Sequence, residues 1–243
     1  MRLSIGSALA DAAALWRAER DLIVRIAGVF YLLPLLALAL LASSMTLPEQ
    51  ATQEQLREVV SEFYRANFVW LLLISIAFEF GSLALLKLFL QRGETVGGLL
   101  RAAAVRLLPF VLLGFANGAV MQLGFTLFIL PGIYVFGRTW MMGAAYAAEP
   151  ERGLLRAVES GFRLSIGNGW RIAFLGFGVA VVAGAAALAL LIVAQSGITL
   201  AGGAQWAQTL FILPVAAAAA AYTAFTLVRV AAYRRLAGSS NGM

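Results

Sequence analysis

The sequence predicts an all-α polytopic membrane protein, with six transmembrane helices arranged as three hairpins and amphipathic surface helices on the cytoplasmic side. Three observations carry this. Of 243 residues, 62% are hydrophobic and 12% charged, against about half apolar and a quarter charged in a soluble domain, and the mean hydropathy is +0.88. Six segments approach or exceed the roughly 20 apolar residues that cross a hydrocarbon layer about 30 Å thick. The basic residues also divide unequally between the two sides of those segments. Because lipid offers backbone amides no partner, only helices or a closed barrel can span. Long Ala- and Leu-rich runs without period-two alternation exclude the barrel.

Taken in order, the chain opens on a helical stripe of Ile5, Ala8, Leu9, Ala12, Leu15 and Trp16, with Asp11, Arg17 and Arg20 pointing elsewhere. Such a helix either lies on the inner leaflet with Trp16 among the head groups or packs on the ends of the bundle. The first span covers 22–42. Some 21 residues precede it, longer than a usual signal-peptide n-region, so this span is expected to stay attached. The outer loop that follows holds a second amphipathic helix. Its apolar stripe is Leu56, Val59, Val60 and Phe63, and its acidic ridge is Glu54, Glu58 and Glu62. The remaining spans are expected at 68–90, 107–123, 125–148, 172–194 and 207–230, within a single membrane domain of three units, 1–94, 95–148 and 149–243.

With the N-terminus inside, Arg2, Arg17, Arg20, Arg25, Lys87, Arg92, Arg101, Arg106, Arg152, Arg156, Arg163, Arg171, Arg229, Arg234 and Arg235 fall on the cytoplasmic side, and only Arg57 and Arg65 lie opposite. This positive-inside asymmetry places both termini in the cytoplasm. The partners it implies are the bilayer and its anionic head groups, worth about 1 kcal/mol per basic residue near the surface. Nucleic acid is not implied, since no basic stripe with interleaved aromatics occurs away from the membrane borders. No cysteine or histidine is present. That removes disulfides, thiol nucleophiles, His-containing triads, haem ligation by His and Cys/His metal sites, and no cofactor is expected.

Three short matches recur in the same order: GLLRA at Gly98 and Gly153, LGF at Leu113 and Leu175, and TLFILP at Thr126 and Thr209. The second copy gains residues at IGNGWR and again around QSGITLAGGAQWAQ. Ordered anchors favour a duplicated unit of one basic surface helix and two spans, as in membrane folds built from repeats. The shared prolines, Pro131 and Pro214, either sit in the first turn of a span, where the missing N–H is not needed, or kink it one or two turns in. Gly132 beside Pro131 favours a break there.

Two ionisable residues fall within spans, Glu79 in IAFEFGS and Arg138 in YVFGRTW. Alone at mid-bilayer each costs about 2.5 to 3.5 kcal/mol on insertion scales. They are expected either to pair across helices or to line a polar cavity, or else Arg138 reaches an interface and Glu79 is protonated. Asn117, Gln122, Tyr134 and Thr139 add polar groups at related depth, with Asn117 and Gln122 suited to bonding between helices. Ser75 and Ser82 share a face with Glu79 but have no neighbouring base to activate them, and bonding to their own i−4 carbonyls accounts for them.

The segment 130–170, LPGIYVFGRTWMMGAAYAAEPERGLLRAVESGFRLSIGNGW, resembles the YciC-like family of bacterial membrane proteins and is similar to the membrane domain attached to some glycerophosphodiester phosphodiesterases. The features that carry the resemblance are LPGIY with Pro131 and Gly132, Arg138 in the following span, Glu149 at its cytoplasmic end, and GLLRAVES with Arg156, Ala157 and Ser160. It covers about a sixth of the chain closely. The resemblance implies a six-helix protein of the bacterial inner membrane with a role in envelope or lipid homeostasis. It does not bring the phosphodiesterase activity, whose catalytic domain is soluble and separate. Glu149 is expected to orient the surface helix by accepting bonds near Gly153 or by pairing with Arg152 or Arg156. The residues therefore predict a non-enzymatic scaffold or lipid-interacting protein, with a small transporter or channel built on Glu79 and Arg138 as the alternative.

Overall fold

A computed structural model describes residues 2–45, 52–91, 95–200 and 207–240. Arg92, counted above with the basic residues, and part of the second insertion lie outside the described residues. Among the described residues there are helices and no strands. Helix α1 (Ile5–Ala18) is followed by α2 (Arg20–Ala27), a π-turn (Gly28–Leu32) and α3 (Leu33–Ala42), which together form one span-length rod. Then come α4 (Gln53–Ala66), α5 (Phe68–Leu90), α6 (Val96–Leu127), α7 (Ile129–Thr139), α8 (Met142–Ala148), a 3-10 turn (Pro150–Arg152), α9 (Gly153–Ser165), α10 (Gly169–Leu200) and α11 (Ala207–Ser240).

Among the described residues, five helices are long and apolar enough to cross a membrane: Arg20–Ala42, Phe68–Leu90, Val96–Leu127, Gly169–Leu190 and Ile212–Gly238. The fourth span expected at 125–148 is not a single helix. The chain leaves α6 at Phe128, whose backbone is extended, restarts as α7, and breaks again at Trp140 and Met141 before α8. Pro131 explains the first break. It stands in the first turn of α7, where its absent N–H has no intrahelical role. Pro214 lies inside the continuous α11 and so acts as an internal proline. Two copies of TLFILP therefore take different conformations.

The surface helix expected before the third span is likewise not separate, because α6 runs unbroken through Pro109. At about 1.5 Å per residue its 32 residues extend roughly 48 Å, more than the hydrocarbon needs. In the second copy the corresponding GLLRA begins α9, a separate helix. Gly167, at φ 72°, ends it in a conformation suited to glycine, and α10 starts two residues later. The start of the segment IGNGWR separates this helix from α10.

The core is built where α5, α8 and α11 meet. Leu83, Leu85 and Leu86 of α5, Ala144 and Tyr146 of α8, and Val230 and Ala232 of α11 are all buried. Around it, Leu40, Leu108, Leu123 and Val182 are exposed, as expected for side chains whose solvent is lipid. Helix α4 has no buried residue. Its start is held by a capping box between Thr52 and Gln55.

Helix α1 packs on the end of the bundle, burying Ala8 and Ala12 while Ile5, Leu9 and Trp16 remain exposed. Three polar contacts tie it down. The Leu3 N–H donates to Asn168 Oδ1 at 2.8 Å, Arg171 donates to the Leu3 carbonyl at 2.9 Å, and Arg235 pairs with Asp11. The hydrogen bond from Arg235, helped by the positive fields of Arg235 and Arg234 and opposed by desolvation, holds the Asp11 carboxyl below its ordinary value of 3.8. A depressed folded value means that this contribution is complete above the unfolded value and disappears as pH falls through the folded one. Acidification below about pH 4 is therefore expected to lower the hydrogen-exchange protection factors of α1, measured against the intrinsic rate at each pH, while α5 and α11 keep theirs. Equal protection of α1 at pH 7 and pH 3 would contradict this clasp.

Candidate functional site

Two polar regions stand out, one inside the bundle and one at its basic end. Inside, Glu79 lies midway along α5, and its carboxylate rests against α6 at Gly114, where an added Cβ would meet Oε1 at 3.3 Å. The missing side chain at Gly114 makes room for the acid. Its charge partner is Arg229 of α11, which attracts it without forming a direct ion pair. The Arg229 Nε donates at 2.7 Å to the Trp140 carbonyl, which lies in the interruption between α7 and α8. A backbone acceptor left by a broken helix is thus satisfied by a side chain, as membrane interiors require. The guanidinium also lies against Gly143, with no space there for a Cβ.

Aromatic and hydroxyl groups surround the charges. Tyr31, fully buried in the π-turn, donates to Ser82 Oγ at 3.3 Å. Its ring stacks on Phe78 at 5.5 Å and meets the Tyr222 edge at 4.8 Å. The π-turn and Pro34 belong together: proline cannot donate to residue 30, and the widened turn lets Leu33 donate to Gly28 instead. Thr223 and Thr226 are buried on α11 and donate to Ala219 and Tyr222, the carbonyls four residues earlier. Two buried side-chain atoms, Asn117 Oδ1 and Trp140 Nε1, have no hydrogen-bond partner among the described residues.

Arg138 is not part of this cluster and makes no ion pair with Glu79. Its guanidinium lies over the Phe162 ring of α9 at 5.6 Å, and its stem runs past Gly169 at the start of α10. Arg138 is half-buried there, among α7, α9 and the start of α10. Tyr134 sits beside it, exposed, with its ring 5.5 Å from Trp170. Gln122 is exposed on α6. Ser75 bonds to the Leu71 carbonyl at 2.8 Å as expected, but Ser82 does not bond to its own helix and takes Tyr31 instead.

The residues that the sequence reading missed are Arg229, Tyr31, Tyr222 and Ser82 as a partner. Arg229 was assigned to the cytoplasmic flank with Arg234 and Arg235. A signal was available, since VAAY separates Arg229 from that pair and Leu227 and Val228 precede it. One more helical turn of apolar residues beyond an arginine places it inside.

The second region is the basic end, where two clefts flank one ion pair. Glu149 accepts from Arg152 at 2.9 Å, and both line each cleft. The first cleft, about 360 Å³, is bounded by Arg156, Glu159, Ser160 and Arg163 of α9. It brings together three residues from the sequence motif, Glu149, Arg156 and Ser160. Arg156 pairs with Glu159 at 3.0 Å rather than with Glu149. Pro131, Gly132 and Pro214 lie in other elements and shape the helices. The second cleft, about 660 Å³, opens between the end of α5, the start of α6 and the turn after α8. Among the described residues no three His, Cys, Asp or Glu side chains gather as a metal site would need. Compared with known proteins, the chain matches no family model, no curated protein and no solved structure.

Proposed function

We propose that the chain is a non-catalytic integral membrane protein of the bacterial inner membrane, acting as a scaffold or lipid-binding component of the envelope. The observation that carries this reading is where the polar groups face. Inside the bundle Arg229 is held by a backbone carbonyl and exerts its field on Glu79, whereas the clefts open among cations at one end. A bundle end that carries Lys87, Arg101, Arg106, Arg152 and Arg156 suits an anionic leaflet. The resemblance of 130–170 to the YciC-like family points the same way.

In this reading the chain crosses six times, with both termini on the basic side. The pairing of Arg106 with Glu151 supports it, because it puts the start of α6 and the end of α8 at one end. The broken pair α7 and α8 then returns the chain that α6 carried out. Since the protein has no cysteine, single cysteines introduced at Gly153, Gly238 and Thr52 report sidedness directly. The first two should label from one side and the third from the other. Labelling of Gly153→Cys and Thr52→Cys from the same side contradicts the topology.

A second reading rests on the interruption at Trp140 itself, since discontinuous helices with nearby charges also build transport sites. Proteoliposomes under an imposed pH gradient separate the two. A scaffold leaks no faster than protein-free vesicles, whereas proton flux that is present in the wild type and absent in Glu79→Gln replaces the scaffold with a transporter.

A further inference from the structure

We propose that the larger basic cleft is a phosphate-binding site, for an anionic lipid head group or free inorganic phosphate, and that Glu151 occupies the ligand's place until one arrives. The lipid source rests on the functional reading above; the site itself does not. Among the described residues the cleft takes Lys87 from α5, Arg101 and Arg106 from α6 and Arg152 from the turn after α8, against the carboxylates Glu149 and Glu151. Its volume, about 660 Å³, is within the range of sites for small molecules. Lys87 is 3% exposed, and its ammonium is held by Gln91 Oε1 at 2.7 Å, so a positive charge is fixed in the wall.

The two arginines of α6 differ in a way that suggests exchange. Arg101 is exposed and makes no hydrogen bond or ion pair with any described residue, which leaves its whole fork for an incoming anion. Arg106 is engaged, but by a carboxylate on a side chain 80% exposed, while its own is 33% exposed. An ion pair with one partner so hydrated contributes little, so releasing it costs little. Carboxylate, phosphodiester and inorganic phosphate present the same pair of acceptors to a guanidinium, and inorganic phosphate adds further charge and oxygens. Glu151 is therefore an internal competitor. Its removal should strengthen binding, an effect opposite to the loss expected if its only role were to hold Arg106 in place.

The test uses the full chain in neutral detergent, with native mass spectrometry counting retained phosphatidylglycerol against phosphatidylcholine, and a parallel titration with inorganic phosphate. The wild type should retain the anionic lipid or bind phosphate, with phosphatidylcholine bound less. Glu151→Gln should raise that affinity several-fold, and Arg101→Gln with Arg106→Gln should lower it about tenfold, roughly 1.4 kcal/mol. Phosphate that displaces the lipid at millimolar concentration identifies a soluble ligand. That outcome supports the site while counting against the lipid reading; lipid that resists displacement supports both. Affinity unchanged or reduced in Glu151→Gln, in a sample as monodisperse as wild type, overturns the proposal. So does retention of phosphatidylglycerol no greater than that of zwitterionic phosphatidylcholine together with no binding of inorganic phosphate.

Discussion

Gly137→Val is expected to prevent α7 from docking on α10 and to leave little folded protein in detergent. A Cβ at this buried position would stand closer to the Gly169 carbonyl oxygen than real atoms approach, 2.8 Å from the Ala173 Cβ and 3.0 Å from the Ala173 nitrogen. Two of these three neighbours are backbone, so no rotamer change relieves the clash. The helices would have to separate, and α7 has only 11 residues over which to absorb the shift. Overpacking commonly costs about 1 to 3 kcal/mol and occasionally more. A clash against rigid backbone belongs at the upper end, and marginal stability magnifies it. Gly178→Val is the matched control on the other helix, since nothing lies within 4 Å of its missing Cβ. Size-exclusion profiles and thermal unfolding in the same detergent measure both. A monodisperse Gly137→Val protein that melts with wild type would show that α7 and α10 do not pack as described.

The helical, span-bearing character of the chain was legible because it follows from composition and length. Five of the spans read from apolar runs coincide with five long helices, and α1 and α4 both sit where amphipathic stripes placed them. What sequence reasoning misjudged is continuity. An apolar run does not say whether a helix breaks, so 125–148 read as one span although Phe128 and the Trp140–Met141 turn divide it. Pro131 and Gly132 marked the first break. The second has no proline, and it is accompanied by an arginine from a helix some 90 positions later that takes the freed carbonyl. A local pattern contains no information about that partner.

The same limit applies to the interior charges. Glu79 was recognisable as an acid in lipid, and a partner was required by the cost of burying it. Pairing it with Arg138 assumed that the nearest basic residue in a predicted span would face it. Gly114 and Gly118 stand at the small-xxx-small spacing of a close helix-packing step. In the structure Gly114 accommodates Glu79, and a Cβ at Gly118 would meet nothing within 4 Å. Spacing identifies a face but not what the face meets.

The Arg229→Met variant should be the most damaging single change among the charged residues, by about 2 to 4 kcal/mol of unfolding free energy. It removes a donor from the Trp140 carbonyl, and a buried acceptor left without a partner costs about 1 to 3 kcal/mol. It also leaves Glu79 without its counter-charge, and breaking a buried pair from one side costs about 3 to 5 kcal/mol when the ions touch. These two do not touch, so that second effect should be smaller here. Glu79→Gln keeps the shape, a hydrogen-bonding carbonyl and the Arg229 contact with Trp140, so its loss should be about 1 kcal/mol or less. The double variant should then be less damaged than the two losses added together, because methionine no longer abandons a charge. A coupling of about 0.5 to 3 kcal/mol is the range for interacting neighbours. Arg138→Met provides the contrast: losing a cation–π contact with Phe162 costs about 0.5 to 1 kcal/mol, and its effect should add independently to that of Glu79→Gln. Reversible unfolding in mixed micelles gives all five stabilities. Strict additivity between positions 79 and 229, or coupling between 79 and 138 instead, would mean that the charge inside this bundle is balanced by a different arginine.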